Sequence, residues 1–204
     1  MRLFVKICGI TSAADARLAA EAGADAVGFV FWPGSPRAVD VATAREIVRT
    51  LPASLARVGV FVDAQRAALA RTAESVGLDL LQLHGHEAPA DCLGQPRRVW
   101  KALGVGADFA PQQAAAYATS VAGILLDSGR GGSGRTFEWA AARGLRESVP
   151  FLILAGGLTP ENVGRAVADV RPHGVDVSSG VESAPGRKDA GKLRAFVDAA
   201  RSAA

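Results

Sequence analysis

Phe4-Val5-Lys6-Ile7-Cys8-Gly9 is a short apolar run with one cation inside it, closed by a thiol and a glycine. Runs of four to eight β-branched and aromatic residues that stop at Gly read as buried strands. Such a strand carries Cys8 to its carboxyl end, the end at which parallel α/β sheets gather their chemistry. The chain then repeats the pattern of strand, polar or Gly-rich tip, helix and next strand. Every tip is expected to point into one shared site, with Cys8 on one side of it.

Working outward, Ser12 is placed to cap a first helix, with an acid (Asp15) three residues later, and this helix stops at Gly23. Residues 25–31 (DAVGFVF) read as the second strand. It exits into Trp32-Pro33-Gly34-Ser35-Pro36-Arg37, where two prolines forbid regular structure. A second helix follows near 43–51 and a third strand over 57–62, after which Asp63 is expected to cap an Ala-rich helix ending at Gly77. Strand four, 79–83, is tipped by His84-Gly85-His86, and a short helix near 88–93 carries Cys92. Strand five covers 98–102 and helix five 111–118. Strand six, 121–126, ends on Asp127 and enters a loop, 128–135, with four glycines in eight positions. A sixth helix is expected over 137–147 and a seventh strand over 151–154, ending on Ala155-Gly156-Gly157. Thr159-Pro160-Glu161 opens a seventh helix, a capping residue followed by Pro at the first helical position. Strand eight, 174–177, ends on Ser178-Ser179-Gly180, and helix eight, 188–202, follows.

Eight strand–helix units in 204 residues average about 25 each. That predicts a compact α/β fold, a (β/α)8 TIM barrel built as one domain over residues 1–204, shorter than the usual barrel of about 250. A doubly wound open sheet is the competing architecture, but there is no G-x-G-x-x-G after the first strand. With 49% of its residues apolar, the chain can fill one core. No apolar run approaches the roughly 18 residues of a membrane span. The N-terminus enters a strand without the regions of a signal peptide. These features predict a cytoplasmic protein with no membrane partner. Cys8 and Cys92 lie on different kinds of segment, which argues against a disulfide framework. The net charge of +3 comes from scattered residues, with no basic stripe or aromatic platform for nucleic acid. Oligomeric state stays open between monomer and homodimer.

Several tips carry chemistry. In barrels the loops after strands seven and eight often bind phosphate. Gly156 and Gly157 allow close approach to the backbone, while Ser178, Ser179 and Gly180 offer hydroxyls and amides. The alternative is that these glycines only make tight turns. Asp127 ends an apolar stretch and precedes the glycines Gly131 and Gly132, which suit a lid or a plain linker. A carboxyl taken out of water when such a lid closes holds a proton more readily, as a general acid requires. Cys8 is either a base or a small packing residue, because an unperturbed thiol is only a few per cent thiolate at pH 7. Lys6 is expected to pair with a buried acid, Asp176 or Glu182, and gives no obvious help to Cys8, which can lie beyond the regular part of the strand. Arg37, on a loop stiffened by two prolines, suits bidentate capture of a carboxylate, or is simply solvated. His84 either meets a ligand or caps its strand. The three histidines lack metal-ligand company, so no metal site is expected.

Together these pieces resemble the phosphoribosylanthranilate isomerases. The likeness rests on Val5-Lys6-Ile7-Cys8-Gly9-Ile10-Thr11, Ser35-Pro36-Arg37, Gln82-Leu83-His84-Gly85 and Leu125-Leu126-Asp127 followed by Gly131-Gly132-Ser133-Gly134. It continues through Gly156-Gly157-Leu158-Thr159-Pro160-Glu161-Asn162-Val163 and Val175-Asp176-Val177-Ser178-Ser179-Gly180-Val181-Glu182. One departure is Phe137-Glu138-Trp139, where the family more often has Asp in the middle. The resemblance implies an Amadori rearrangement of a phosphosugar–anthranilate substrate without a cofactor, with Asp127 as acid and Cys8 as base. It also implies that Arg37 holds the anthranilate carboxylate and that Gly156, Gly157, Ser178, Ser179 and Gly180 hold the phosphate. Asp176 at the sugar hydroxyls and His84 on the anthranilate side are weaker implications. The related isomerases of histidine biosynthesis resemble a pair of aspartates across the barrel, whereas strand one here ends in Cys8. A non-catalytic barrel that binds phosphorylated metabolites is the rival of another class.

Overall fold

A computed structural model of the chain describes residues 2–128 and 139–204. Eight parallel strands close on themselves in sequence order. They are β1 (Phe4–Ile7), β2 (Ala26–Val30), β3 (Ala56–Phe61), β4 (Leu80–Leu83), β5 (Arg98–Gly104), β6 (Gly123–Asp127), β7 (Leu152–Leu154) and β8 (Gly174–Val177). The β1–β8 pairing that seals the barrel sets Lys6 opposite Asp176 and Ile7 opposite Val177. This closure decides for the barrel over the open sheet.

The strands read as near-continuous apolar runs because both of their faces are covered. Outward side chains such as Val5, Ile7 and Phe29 pack under the helices. Inward ones such as Ala26, Val58, Leu125 and Ile153 fill the barrel itself. At the floor, the Phe4 ring meets Trp100 and Phe151 edge-on at 5.7 and 5.8 Å. Apolar layers below and polar tips above follow from the alternation of side chains along each strand.

The helices are α1 (Ala13–Glu21), α2 (Val41–Val48), α3 (Arg66–Val76), α4 (Pro89–Cys92), α5 (Pro111–Ala115), α6 (Val163–Val170) and α7 (Ala190–Ser202). Ser12 caps α1 as expected, accepting from the Asp15 N–H at 3.1 Å. On α7 the buried residues Leu193, Phe196, Val197 and Ala200 recur at helical spacing and face the barrel. No helix among the described residues is long and apolar enough to cross a membrane.

Four sequence expectations change. Of the helix expected over 137–147, residues 137 and 138 lie outside the described residues, and the remainder forms two 3-10 turns, Trp139–Ala142 and Leu145–Glu147. Gly144 separates them at φ +77°, a left-handed conformation that ends an α-helix. Asp63 does not cap α3, whose N-cap position is Gln65. Its carboxylate reaches instead to the next loop and accepts from the His86 N–H at 2.6 Å. Helix α6 begins at Val163 rather than beside Thr159, although the Thr159 carbonyl already accepts from the Asn162 and Val163 N–H groups. Lys188 precedes the last helix, which Asp189 caps by accepting from the Lys192 N–H at 2.9 Å. Lys188 belongs to a small hairpin of β9 (Glu182–Ala184) and β10 (Arg187–Lys188).

Candidate active site

A cavity of about 530 Å³ opens at the carboxyl ends of the strands. Its lining takes in Cys8, Arg37, His84, Asp127, Gly156, Gly157, Asp176, Ser178 and Ser179. These residues come from six different strand ends and converge because barrel closure points every tip the same way. Gly180 is the exception and does not line it. A Cβ at Gly180 would strike the Leu158 carbonyl, so glycine there lets the two loops pack. The Gly131–Gly132 lid expectation lies outside the described residues.

Cys8 follows the last residue of β1, and its backbone still bonds to β8. Its N–H donates to the Val177 carbonyl at 2.8 Å, so strand alternation puts Lys6 and Cys8 on the same, inward face. Cys8 does lie beyond the regular strand, as expected, and only the expectation that Lys6 gives it no obvious help changes. Burial pushes the Cys8 thiol above its ordinary value, and the Lys6 ammonium is the main group pulling the other way. Lys6 is fully buried and donates to Asp176 Oδ1 at 2.9 Å, which selects Asp176 over Glu182 as its partner. Burial alone would lower the Lys6 ammonium, yet Asp176 and Cys8 together carry it above the usual lysine value. Gly28 on β2 makes room for the pair. A Cβ there would lie 2.8 Å from Cys8 Sγ and 3.0 Å from Lys6 Nζ.

Across the mouth, the Asp127 carboxylate accepts from the Ser128 hydroxyl at 3.2 Å and stands 3.5 Å from His84 Nε2. His84 Nδ1 is 3.3 Å from the Gln82 amide nitrogen. The Gln82 amide thus pairs with Nδ1, which leaves Nε2 to face Asp127. Burial holds the His84 imidazole below its ordinary value, with Asp127 opposing. The strand-four tip is anchored from beneath. Buried Lys101 donates to the carbonyls of Gly85 (2.7 Å) and Leu83 (3.2 Å) and to Glu87 (3.0 Å).

Arg37 crosses Gly9 and makes a two-pronged bond to Glu182, Nε to Oε1 at 2.8 Å and Nη2 to Oε2 at 2.7 Å. Lys188 donates to the same carboxylate at 2.9 Å and to the Ser178 carbonyl at 3.2 Å. Burial raises Glu182, but the bonds from Arg37 and Lys188 outweigh it and hold the group below the usual range. Burial likewise lowers Lys188, against the pull of Glu182. Among the described residues Arg37 Nη1 has no hydrogen-bond partner. Sequence reasoning missed Lys188 and the Arg37–Glu182 bond, since contacts between residues 145 apart leave no local signature. Gln82 was not singled out either, although its alternation with His84 on one strand face is a signal that could have found it.

At the β7 and β8 tips, no acceptor among the described residues takes the Gly156 or Gly157 N–H. The Ser178 hydroxyl is buried and without a partner among the described residues. Donors left this way at the edge of a cavity suit an incoming anion. No group of three His, Cys, Asp or Glu side chains among the described residues is arranged for a metal ion. A thiol and a carboxyl facing one cavity, with donor-rich loops at its rim, can move protons on a small anionic ligand.

Comparison with known proteins agrees. The family model described as N-(5'phosphoribosyl)anthranilate (PRA) isomerase matches residues 5–199. An N-(5'-phosphoribosyl)anthranilate isomerase of Pseudomonas aeruginosa (strain LESB58) is 53% identical over 203 residues, covering 97% of this chain and 95% of that protein. The phosphoribosyl anthranilate isomerase of Thermotoga maritima superposes with a TM-score of 0.92 at 43% identity, covering 98% of this chain and 99% of the other. A phosphoribosyl anthranilate isomerase solved with reduced 1-(o-carboxyphenylamino)-1-deoxyribulose 5-phosphate superposes with a TM-score of 0.89 at 42% identity and the same coverage.

Proposed function

The chain belongs to the N-(5'-phosphoribosyl)anthranilate isomerase family, and from that premise we propose how its own residues divide the work of the reaction. The enzyme converts N-(5-phosphoribosyl)anthranilate to 1-(2-carboxyphenylamino)-1-deoxyribulose 5-phosphate in tryptophan biosynthesis. Asp127 protonates the ribose ring oxygen. The C1–O bond breaks, and the nitrogen lone pair forms a cationic Schiff base at C1. That cation acidifies the C2 proton, so a thiolate at Cys8 suffices to remove it. The electron pair left at C2 forms the C1–C2 double bond and neutralises the nitrogen. The resulting enolamine becomes the ketone as its C2 hydroxyl loses a proton and C1 gains one.

Supporting this reading is one observation above all: Cys8 on β1 and Asp127 on β6 line the same cavity. Anchors at the two ends of the substrate fix the sugar between them. The phosphate sits against Gly156, Gly157, Ser178 and Ser179, and Arg37 meets the anthranilate carboxylate through Nη1. Asp176 faces the sugar hydroxyls with its second oxygen, and His84 borders the anthranilate side. The reaction takes place in the cytoplasm. Purified protein given the substrate tests the activity directly, because conversion of the anthranilate adduct changes its fluorescence. Steady emission at high enzyme concentration would overturn the assignment.

Two predictions arise here. Arg37→Ala is expected to raise KM by about 10- to 100-fold, the worth of one charge-assisted hydrogen bond. It is also expected to lower the melting temperature, because among the described residues Glu182 then keeps only Lys188 as a side-chain partner. Unchanged KM would remove Arg37 from the substrate. Gly28→Ala is expected to lower kcat about tenfold to a hundredfold, since its methyl must displace Cys8 or Lys6. Parental turnover in this variant would show that the barrel absorbs the methyl without moving either.

A further inference from the structure

A thiol buried at the mouth of a barrel is a poor base unless something holds its anion. We propose that Lys6 does this: its ammonium, aimed by Asp176, supports the Cys8 thiolate from inside the barrel and so makes Cys8 a working base. Lys6 is a positioning residue, acting on the substrate only through Cys8. The inference rests on the reading of Cys8 as the base.

The hydrogen-bond inventory of Lys6 carries the argument. An ammonium has three N–H donors and no acceptor. Lys6 is wholly buried, and among the described residues its one oxygen partner within hydrogen-bond distance is Asp176 Oδ1, at 2.9 Å. A buried ammonium with two idle donors is costly unless another acceptor faces it. The group that faces it is Cys8, two residues along the same inward strand face, across the space that Gly28 leaves empty.

The charges around Cys8 point the same way. Lys6 on β1, Arg37 on the loop after β2 and Lys188 on β10 are the cations that act on it, and Asp176 on β8 is the nearest anion. Glu182, the second carboxylate of the cluster, is taken up by Arg37 and Lys188. Three cations against two carboxylates leave one positive charge unmatched, and Lys6 is the wholly buried cation whose two idle donors lie beside Cys8. A thiolate at Cys8 balances the cluster. Asp176 opposes Lys6 here, because its negative charge disfavours a thiolate while it aims the ammonium. The two residues therefore act on the thiol with opposite sign.

That opposition gives the test. Iodoacetamide alkylation is followed against pH on the Cys8 peptide by mass spectrometry, which separates Cys8 from Cys92. Lys6→Met is expected to move the alkylation midpoint up by at least about one pH unit, a roughly tenfold loss of thiolate at neutral pH. Asp176→Asn is expected to move it down. In Lys6→Met, kcat falls about tenfold near pH 7 with KM held, and climbs back as pH passes the new midpoint. A merely structural lysine would show no such recovery. A folded Lys6→Met protein with the parental midpoint, or a rate deficit that pH does not relieve, overturns the inference. If Lys6→Met gives no cooperative melting transition, Asp176→Asn carries the test, and an unmoved midpoint there overturns it equally. Turnover of Cys8→Ala is a separate reading, so a failure of the base assignment is distinguishable from a failure of the role given to Lys6.

Discussion

Asp127→Asn is expected to turn over about 100- to 10,000-fold more slowly than the parent, a loss of roughly 3–5 kcal/mol of transition-state stabilisation. The substitution changes almost nothing else. Asparagine has the shape of aspartate, and its amide oxygen can still accept from the Ser128 hydroxyl that now donates to Asp127. The β6 backbone holds the position, with the Asp127 carbonyl accepting from the Val105 N–H at 2.6 Å. What is lost is a proton that can leave. Without it the ribose ring oxygen departs as a poorly stabilised anion, and ring opening becomes the slow step. KM should move little, because the anchors lie at the two ends of the substrate. The fluorescence assay reads the rate and a thermal melt reads the fold. Near-parental turnover in a protein of parental melting temperature would take Asp127 out of the reaction. His84 adds a directional expectation: its Nε2 stands 3.5 Å from the carboxylate, so a proton carried on Nε2 stabilises Asp127 after its own proton has gone.

The sequence carried the barrel because each strand is a short apolar run that ends in a polar or glycine tip, and that signal is local. Cys8, His84, Asp127 and the Gly156-Gly157 and Ser178-Ser179 tips could be nominated for the same reason: each sits at a strand end. What could not be read depends on closure. A buried acid for Lys6 could be expected, but the choice of Asp176 over Glu182 waits on the register in which β1 pairs with β8, 170 positions away. Arg37 finds Glu182 across 145 positions, so the sequence could suggest a fork but not that two of its donors are already taken. The sixth helix failed for a local reason, since Gly144 in the left-handed region outweighs an Ala-rich stretch that otherwise favours helix. The β9–β10 hairpin had a usable signal in Pro185-Gly186, where Gly186 takes φ +76°. Gly180 shows the limit of reading glycine as a ligand cradle, because there it answers to a neighbouring carbonyl.

Cys8→Ala is the second large effect expected, again about 100- to 10,000-fold in kcat with the fold retained. The alanine removes one sulfur from the edge of a cavity, leaving the backbone bond to Val177 in place. Cys8→Ser separates proton removal from packing. The hydroxyl is close in size, but it is a far weaker acid than a thiol and yields essentially no anion at pH 7, so serine should not restore the rate. Parental turnover by either variant would assign the C2 proton to another group. The two losses also constrain each other. Acid and base act on successive steps, so once Asp127→Asn has made ring opening limiting, a slower deprotonation is partly hidden behind it. The double variant should therefore lose less than the product of the single losses. Fully multiplicative losses would place both proton transfers in one transition state and replace the stepwise Schiff-base route with a concerted one.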